Sequence, residues 1–360
     1  MNDRTSDYCI GAAALQTDGS VWVASNKANV VMRFSIESFV VSEVVFIDEL
    51  KSQNLFSQII KYKEYIYLIP DNASTMWRVN TEDLAAEPIH IGLNRAESLL
   101  RNKFRACYTW KDRLYLFGFN VHGIVQYDFK SHSASRIDMT TLERGEDLSF
   151  GHFMVSDDNI CYLPARESTD VIRFDCDNSK LDKIVLPNID ADYYNSACIF
   201  RREKYFTTNN DGLVVLDSGD RLIKNTALNL LPANGAKIYR RIIVDEDKII
   251  LIPSTRNTCF YMSEPGVYSS ILIDNKHFRT NYDYTRYEFV FDVERKIYLQ
   301  SRIDGEVYIF DRDTMSLEKH YISIDSEKID AISEVLLKQS RIPVAVENVD
   351  MTLSNLVNSL

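Results

Sequence analysis

The chain has 360 residues, with 52 acidic and 41 basic side chains, so its formal net charge is −11. This balance disfavours a nucleic-acid partner, because binding to a phosphate backbone requires clustered Lys and Arg side chains. Hydrophobic residues make up 45% of the chain, which is enough to bury a large core. The apolar runs are far shorter than the roughly 20 residues that cross a bilayer, so we predict no membrane span.

The first residues and the cysteines indicate a cytoplasmic protein. The apolar run 9–15 follows Asp3 and Asp7, whereas a signal peptide carries net positive charge before its apolar region. The six cysteines lie far apart, without a CxxC motif. This spacing predicts neither a zinc cluster nor a compact disulfide framework. We therefore expect a reducing compartment, no bound metal and no cofactor.

An internal repeat is the strongest signal in the sequence. Runs rich in β-branched, aromatic and other apolar residues recur at 21–24, 66–69, 114–117, 160–163, 205–208, 249–252 and 297–300. Each run predicts a strand, and a charged turn typical of a hairpin tip precedes it. In every copy the next strand ends in a short polar residue: Ser35, Asn80, Asp128, Asp175, Asp217, Ser263 and Asp311. Such side chains accept a backbone hydrogen bond two residues on, so we expect a tight turn at each.

These polar ends are 45, 48, 47, 42, 46 and 48 residues apart. Another strand precedes the first run of each copy and a further one closes it, so every copy has four. Radial four-stranded antiparallel sheets at such a period are typical of a β-propeller. The predicted fold is therefore all-β, a seven-bladed β-propeller over residues 1–325, followed by a short helical tail at 326–360.

The sevenfold rhythm resembles that of the broad kelch and YncE-like group of seven-bladed propellers. Pro70, Pro164 and Pro253 follow the second strand of three copies, as in an uncharacterised bacterial type. The chain lacks the Gly-Gly pair of kelch blades and the Trp-Asp ending of WD repeats. The resemblance is therefore one of architecture, and it implies no catalytic set.

The tail differs in kind from the repeats. Apolar residues follow helical spacing over 326–337, and Asp350 can cap a second helix that runs to Leu360. Pro343 favours an extended segment at 341–346, and the part around Val344 could pair with a blade edge. We predict that this tail packs on the propeller or latches the ring; the alternative is a helix that binds a partner.

Aligning the seven copies separates structural from functional positions. One aligned position contains Gly11, Phe56, Phe104, Phe150, Asn195, Tyr239 and Tyr287. Because five of these residues are aromatic, we interpret the position as packing between blades. The next contains Ala12, Ser57, Arg105, Gly151, Ser196, Arg240 and Glu288. It lies at the start of the innermost strand, where side chains approach the mouth of the channel.

We predict a ligand site at this mouth. Its members from the inner strands are Arg105, Arg240, Glu288, Gln58, Arg241, Tyr194 and Arg286. Loops after the second strands add a polar set, namely Asn26, Asp71, Asn120, His122, Arg166, Asn209, Asn210, Arg256, Arg302 and Asp304, from which Arg166, Arg256 and Arg302 join the site. Arginines beside a carboxylate and an imidazole can bind an anionic group. Alternatively, Arg105, Arg240 and Glu288 neutralise one another beside channel water.

The sequence contains no GxSxG, HExxH, P-loop or GxGxxG motif. We therefore favour a binding or scaffold protein that holds a protein, peptide or glycan partner with its propeller face and central funnel. The alternative is an enzyme of the lyase, cyclase or hydrolase type acting on an anionic sugar or peptide. In that case His152 is the candidate general acid or base.

Overall fold

The computed structural model describes residues 11–17, 19–49, 53–137, 149–166, 168–231, 239–246, 248–253, 258–264, 267–272, 287–301, 306–314 and 316–340. Within these residues the chain forms seven four-stranded antiparallel sheets, each built from four consecutive strands. The fold is a β-propeller of four-stranded blades, as predicted. No helix of the described ranges is long and apolar enough to cross a membrane.

The sheets follow one another along the chain. Sheet 1 contains β1 (Gly11–Thr17), β2 (Ser20–Ser25), β3 (Val30–Ser35) and β4 (Val41–Phe46). Sheet 2 contains β5 (Phe56–Tyr62), β6 (Tyr65–Pro70), β7 (Met76–Asn80) and β8 (Ala86–Ile89). Sheet 3 contains β9 (Phe104–Trp110), β10 (Arg113–Gly118), β11 (Ile124–Asp128) and β12 (Ser133–Arg136). Sheet 4 contains β13 (Val155–Asp157), β14 (Ile160–Pro164), β15 (Val171–Asp175) and β16 (Lys180–Ile184).

The remaining elements complete the ring. Sheet 5 contains β17 (Tyr194–Phe200), β18 (Glu203–Thr208), β19 (Gly212–Leu216) and β20 (Leu222–Ala227). Sheet 6 contains β21 (Tyr239–Asp245), β22 (Lys248–Pro253), β23 (Thr258–Glu264) and β24 (Val267–Leu272). Sheet 7 contains β25 (Tyr287–Val293), β26 (Lys296–Ser301), β27 (Glu306–Asp311) and β28 (Leu317–Tyr321). Helix α1 (Arg95–Leu99), which the sequence analysis missed, joins sheets 2 and 3, and α2 (Ser326–Ser340) follows sheet 7.

Apolar side chains fill the spaces between neighbouring sheets. The second strand of a sheet is buried on both faces, as in β2 and β10, because a neighbouring sheet covers each side. Outer strands alternate between more and less exposed residues, as in β20. A hydrophobic cluster lies at every junction, including the junction between sheets 7 and 1. The core is therefore a ring of interfaces rather than one central mass.

The seven copies are not equal. Six sheets have an inner strand of seven residues, whereas β13 in sheet 4 has three. Ahead of β13, an isolated bridge between Phe150 and Ala165 holds the chain. Six sheets are therefore regular blades, and the irregular sheet 4 departs from the predicted series of seven like units.

The predicted turns after the third strands are confirmed in six copies. In each, a backbone N–H donates to the side-chain oxygen two residues earlier. The acceptors are Ser35, Asn80, Asp128, Asp175, Asp217 and Asp311. Backbone hydrogen bonds accordingly lower the pKa of Asp128, Asp217 and Asp311. The side chain of Ser263 lies outside the described residues.

The ring closes between its first and last sheets. Ser323 forms a parallel bridge with Val40, and its N–H donates to the Phe39 oxygen at 2.8 Å. The Phe39 ring stacks on His320 with centroids 4.5 Å apart. This contact is made by the segment just after β28. The predicted pairing of the segment around Val344, the extended stretch 341–346 and a helix from Asp350 to Leu360 lie outside the described residues.

The helix predicted at 326–337 is present as α2, which packs against the closure. Ile332 is fully buried in the cluster between sheets 7 and 1, and Ile329 packs beside it. We predict that Ile332→Ala lowers the free energy of unfolding by roughly 2 to 5 kcal/mol, because it leaves a cavity in this junction. Urea unfolding followed by far-UV circular dichroism measures the change.

The control is Ile223→Ala on the outer strand of sheet 5, where the side chain is 52% exposed. It makes the same truncation without opening a buried cavity. Equal stability of the two variants would show that α2 does not contribute to the closure.

Candidate functional site

The described members of both polar sets of the sequence analysis meet on one face of the ring. Because neighbouring strands are antiparallel, the start of each inner strand lies beside the end of the second strand, as in the pairing of Phe56 with Pro70. We call this the mouth face. It includes the starts of the inner strands and the loops 26–29, 71–75, 119–123 and 209–211.

A β-bulge opens the inner strand of each regular sheet at this face. The pairing with the second strand shifts immediately after the first residue of the inner strand. The bulged residues are Ala12, Ser57, Arg105, Asn195, Arg240 and Glu288. Bulges redirect side chains and interrupt the ladder, and they are frequent beside functional sites. The predicted mouth positions are therefore bulges, except in sheets 4 and 5.

In sheet 5, the structure shifts the alignment of the repeat copies by one residue. Tyr194, not Asn195, begins its inner strand, and Asn195 rather than Ser196 is bulged. The misalignment arose from Lys204, which occupies an apolar position of the repeat although its side chain is 1% exposed. Its ammonium group is hydrogen bonded to the Asp220 carboxylate at 2.6 Å and to the Asp217 oxygen at 2.9 Å. A paired lysine thus replaces an aliphatic residue.

Tyr194 belongs to the buried aromatic position, together with Phe56, Phe104, Phe150 and Tyr239. Its hydroxyl donates to the Thr169 oxygen of the preceding sheet at 2.9 Å. Burial raises its pKa. The structure therefore places Tyr194 in the packing between sheets, where its buried ring and bonded hydroxyl serve the junction.

Arg105 meets a carboxylate from the loop of the preceding sheet. Its guanidinium lies 3.2 Å from Asp71 Oδ2 and also donates to Asn102 Oδ1. The Asp71 side chain is only 3% exposed. Burial raises its pKa to about 6, against the opposing influence of Arg105 and Lys103. The sequence analysis placed these residues in two separate sets, and the fold brings them together.

Neighbouring polar groups tie sheets 2 and 3 together. Gln58 Nε2 donates to the Arg105 oxygen at 2.9 Å, and its Oε1 accepts from the Cys107 thiol at 2.6 Å. Lys103 is fully buried, with its ammonium group donating to the Leu100 oxygen at 2.5 Å. Gln58 and Lys103 therefore serve the junction, and Gln58 holds the backbone that presents Arg105.

A second group lies at the junction of sheets 3 and 4. The Arg166 guanidinium stands over the Phe119 ring, 4.3 Å from its centroid, and donates to the Phe119 oxygen at 2.9 Å. The exposed His152 ring lies on Phe119 as well, with centroids 4.5 Å apart. The predicted Arg166 and His152 thus share one aromatic platform at the mouth face.

Four buried side-chain atoms of the described residues have no hydrogen-bond partner. They are Asn26 Oδ1, Asn29 Oδ1, Asp71 Oδ1 and Arg105 Nε. All four belong to the mouth face of sheets 1 to 3. Buried polar atoms are nearly always paired with protein or water, so a cluster of exceptions indicates a place for a ligand or ordered water. Asn29 was missed from sequence, where its only signal is an amide between two apolar strands.

Several predicted site residues are only partly described. Arg240 and Glu288 lie at bulges of β21 and β25, but their side chains are outside the described residues. Arg286, Arg256 and Arg302 lie outside them entirely, as does Asp304. Arg241 is described and exposed. In the part of the chain that can be searched, no group of three or more His, Cys, Asp or Glu side chains could hold a metal ion.

Comparisons with known proteins support the fold. No family model matches the chain, and no curated protein matches it. Virginiamycin B lyase from Staphylococcus aureus is similar in structure, with a TM-score of 0.59, 9% identity, and coverage of 81% of this chain and 92% of that chain. A streptogramin B lyase gives a TM-score of 0.56 at 11% identity, covering 86% and 92%.

An extracellular domain is similar in structure as well. The extracellular domain assigned to a hybrid two-component system of B. thetaiotaomicron has a TM-score of 0.59 and 16% identity, covering 81% of this chain and 37% of that chain. At these identities the likeness concerns the fold alone. Lyases and an extracellular domain of a two-component system both share it, so the function of this chain must be argued from its own residues.

The buried carboxyl of Asp71 generates a pH prediction. Because its pKa rises to about 6 from a usual 3.8, its contribution to stability is greatest below pH 4 and falls as the pH increases to about 6. Relative to Asp71→Asn, the free energy of unfolding of the wild type should fall by roughly 3 kcal/mol across this window. It should fall no further above it. Urea unfolding of both proteins between pH 4 and pH 7 measures the difference.

Asp190→Asn is the matched control, since Asp190 is exposed. It makes the same change of a carboxyl to an amide at the surface, and so measures the effect of the substitution itself. A flat difference for Asp71→Asn would mean that the Asp71 carboxyl is not buried as described.

Proposed function

We propose that this protein is a binding or scaffold protein that holds a protein, peptide or glycan partner at the mouth face. The observation that carries the proposal is the cluster of four unpartnered buried atoms, three acceptors and one donor, at sheets 1 to 3. A partner that supplies O–H or N–H donors would satisfy the acceptors. Because an unpaired buried group costs about 1–3 kcal/mol, its pairing favours the complex.

The charges at the mouth define what such a partner needs. Arg105 is already opposed by Asp71 at 3.2 Å, and Arg166 lies on an aromatic ring while bonded to a backbone oxygen. The partner therefore need not be anionic. Between Asp71 Oδ1 and Arg105 Nε, a group that both donates and accepts is complementary, such as a hydroxyl or a backbone amide.

The proposal includes the finer architecture and location. Each four-stranded sheet acts as one blade of a seven-bladed ring, and the protein works in the cytoplasm. The location is supported by the six cysteines, which lie far apart in the sequence without a CxxC motif.

One observation favours an enzyme as the second candidate. His152 is exposed beside Phe119 and Arg166, and an imidazole can transfer protons near neutral pH. In this case the site acts as a lyase, cyclase or hydrolase on an anionic sugar or peptide. His152→Ala would then abolish turnover while the melting temperature stays unchanged, as checked by thermal unfolding and by assays of source-cell metabolites.

The binding proposal is tested by removing an unpartnered acceptor. Asn26→Ala should leave the free protein as stable as wild type or more so, because Asn26 Oδ1 makes no hydrogen bond there. It should lower the affinity for the partner by roughly tenfold or more, as expected for a buried contact at the centre of an interface. Thermal unfolding measures the first effect. Retention of source-cell proteins and glycans by the immobilised protein identifies the partner, and titration measures the second effect.

Arg166→Ala provides a second mouth variant with a matched control. Arg201 stands over the Phe200 ring at 4.8 Å, at a hairpin tip on the opposite face of the ring. Arg201→Ala makes the same change and should bind the partner with the affinity of the wild type, whereas Arg166→Ala should bind it more weakly. A partner that both mouth variants retain at full affinity binds elsewhere, and the proposal is then wrong.

A further inference from the structure

A cavity of about 730 Å³ lies on the mouth face, outside the site described above. It opens between the outer halves of sheets 1 and 2, where β4 and β8 end and β7 begins. Phe46, Trp77 and Pro88 form apolar walls, and Ser74, Thr75 and Asp48 add oxygen atoms. This volume is within the range of small-molecule sites, which combine apolar walls with a few polar groups.

The hydroxyl groups of the cavity are already committed as donors. Ser74 Oγ donates to Glu49 at 2.7 Å, Thr75 Oγ1 donates to the Ile89 oxygen, and Ser98 Oγ donates to the Arg95 oxygen at 2.8 Å. Each of these oxygens keeps lone pairs that can accept. Together with the Asp48 carboxylate, they make the lining rich in acceptors. The complementary ligand is rich in O–H or N–H donors.

The charge of the lining disfavours an anionic ligand. Its residues include the exposed Asp48 and no Lys or Arg, and its one basic side chain is the exposed His90. A carboxylate or phosphate bound here would face Asp48, with only the His90 imidazole to pair with it. An anionic sugar, the ligand class of the enzyme alternative, therefore fits this cavity less well than a neutral one.

The aromatic walls offer one open ring face. Trp77 is only 6% exposed, and its ring packs in the cluster between sheets 1 and 2. Its indole N–H donates to Glu49 at 3.1 Å, which fixes the ring. Phe46 is 38% exposed at the rim, where the apolar face of a sugar ring can rest on it.

We propose that this cavity is a binding site for a neutral oligosaccharide, with its hydroxyls donating to Asp48 and the hydroxyl oxygens while one sugar ring lies on Phe46. The loop 71–75 supplies Asp71 to the mouth and Ser74 and Thr75 to the cavity. A chain of sugars could therefore extend from one to the other. The proposal goes beyond the proposed function, because the cavity can bind whether or not the mouth holds a partner.

The test uses the full chain and defined probes. Maltotetraose, cellotetraose and mannotetraose are titrated by calorimetry, with tetragalacturonate as an anionic comparator and choline as a cationic one. We expect at least one neutral tetrasaccharide to bind at millimolar concentration or better, and neither comparator to bind. Phe46→Ala and Asp48→Asn should each weaken the affinity by roughly fivefold or more, as for the loss of one contact.

Matched controls separate this site from the rest of the surface. Leu317→Ala removes a side chain that is 40% exposed on sheet 7, and Asp190→Asn neutralises an exposed carboxylate on the segment between sheets 4 and 5. Both should bind like wild type. Asn26→Ala, which tests the mouth, should retain binding of the tetrasaccharide at the cavity.

Three outcomes would overturn the proposal. They are no binding of any neutral tetrasaccharide, preferential binding of tetragalacturonate or choline, and binding that Phe46→Ala and Asp48→Asn leave unchanged. Because Asn26→Ala affects only the mouth, failure of this proposal is distinguishable from failure of the binding function proposed above.

Discussion

Burial of both faces of every sheet is the constraint on which the structure depends. A four-stranded sheet with apolar side chains on each side is too small to be stable alone, so each needs two neighbours. The requirement can be satisfied throughout only when the series closes on itself. The last junction, between sheets 7 and 1, is filled by a hydrophobic cluster. Sheet 1 contributes Val21, Met32 and Phe34, and sheet 7 contributes Val307 and Ile309. Helix α2 covers this junction, which is the one that no continuous chain bridges.

The same constraint explains why polar chemistry collects at the mouth face. Within the sheets, nearly every position is used by the ladder or the core. At the mouth, the bulges interrupt the ladder, and backbone bonds between sheets replace it. Asn54 N–H donates to the Asn26 oxygen, and Lys103 N–H donates to the Asp71 oxygen. Side chains released from the ladder at these points can differ from copy to copy without loss of the fold.

The electrostatics of the mouth follow from burial rather than from net charge. The chain is acidic overall, yet at sheets 2 and 3 two basic groups, Arg105 and Lys103, face one carboxyl, Asp71. Burial still dominates that carboxyl and raises its pKa. The outer cavity has no Lys or Arg in its lining, where His90 is the one basic side chain. The two regions of one face therefore select different partners: a donor and acceptor pair at the mouth, and a donor-rich neutral group in the cavity.

Local rules determined what the sequence could predict. The turns at Asn80, Asp128 and Asp311 depend on a side chain and a backbone N–H two residues away, so their hydrogen bonds can be read from the residues alone. The fully buried second strands and the first helix of the tail follow from periodicity in the same way. The repeat also located the bulged positions, since a bulge in equivalent copies lies at equivalent residues.

Only the tertiary structure decided the rest. The pairing of Arg105 with Asp71 joins different sheets, and repeat alignment cannot tell which neighbour a side chain meets. Lys204 shifted the alignment of sheet 5, because its burial depends on Asp220 across the same sheet. The cavity beside Trp77 likewise arises from how sheets 1 and 2 diverge at their outer strands. Local hydrogen bonds and periodicity are properties of consecutive residues, whereas these contacts exist only after the sheets have packed.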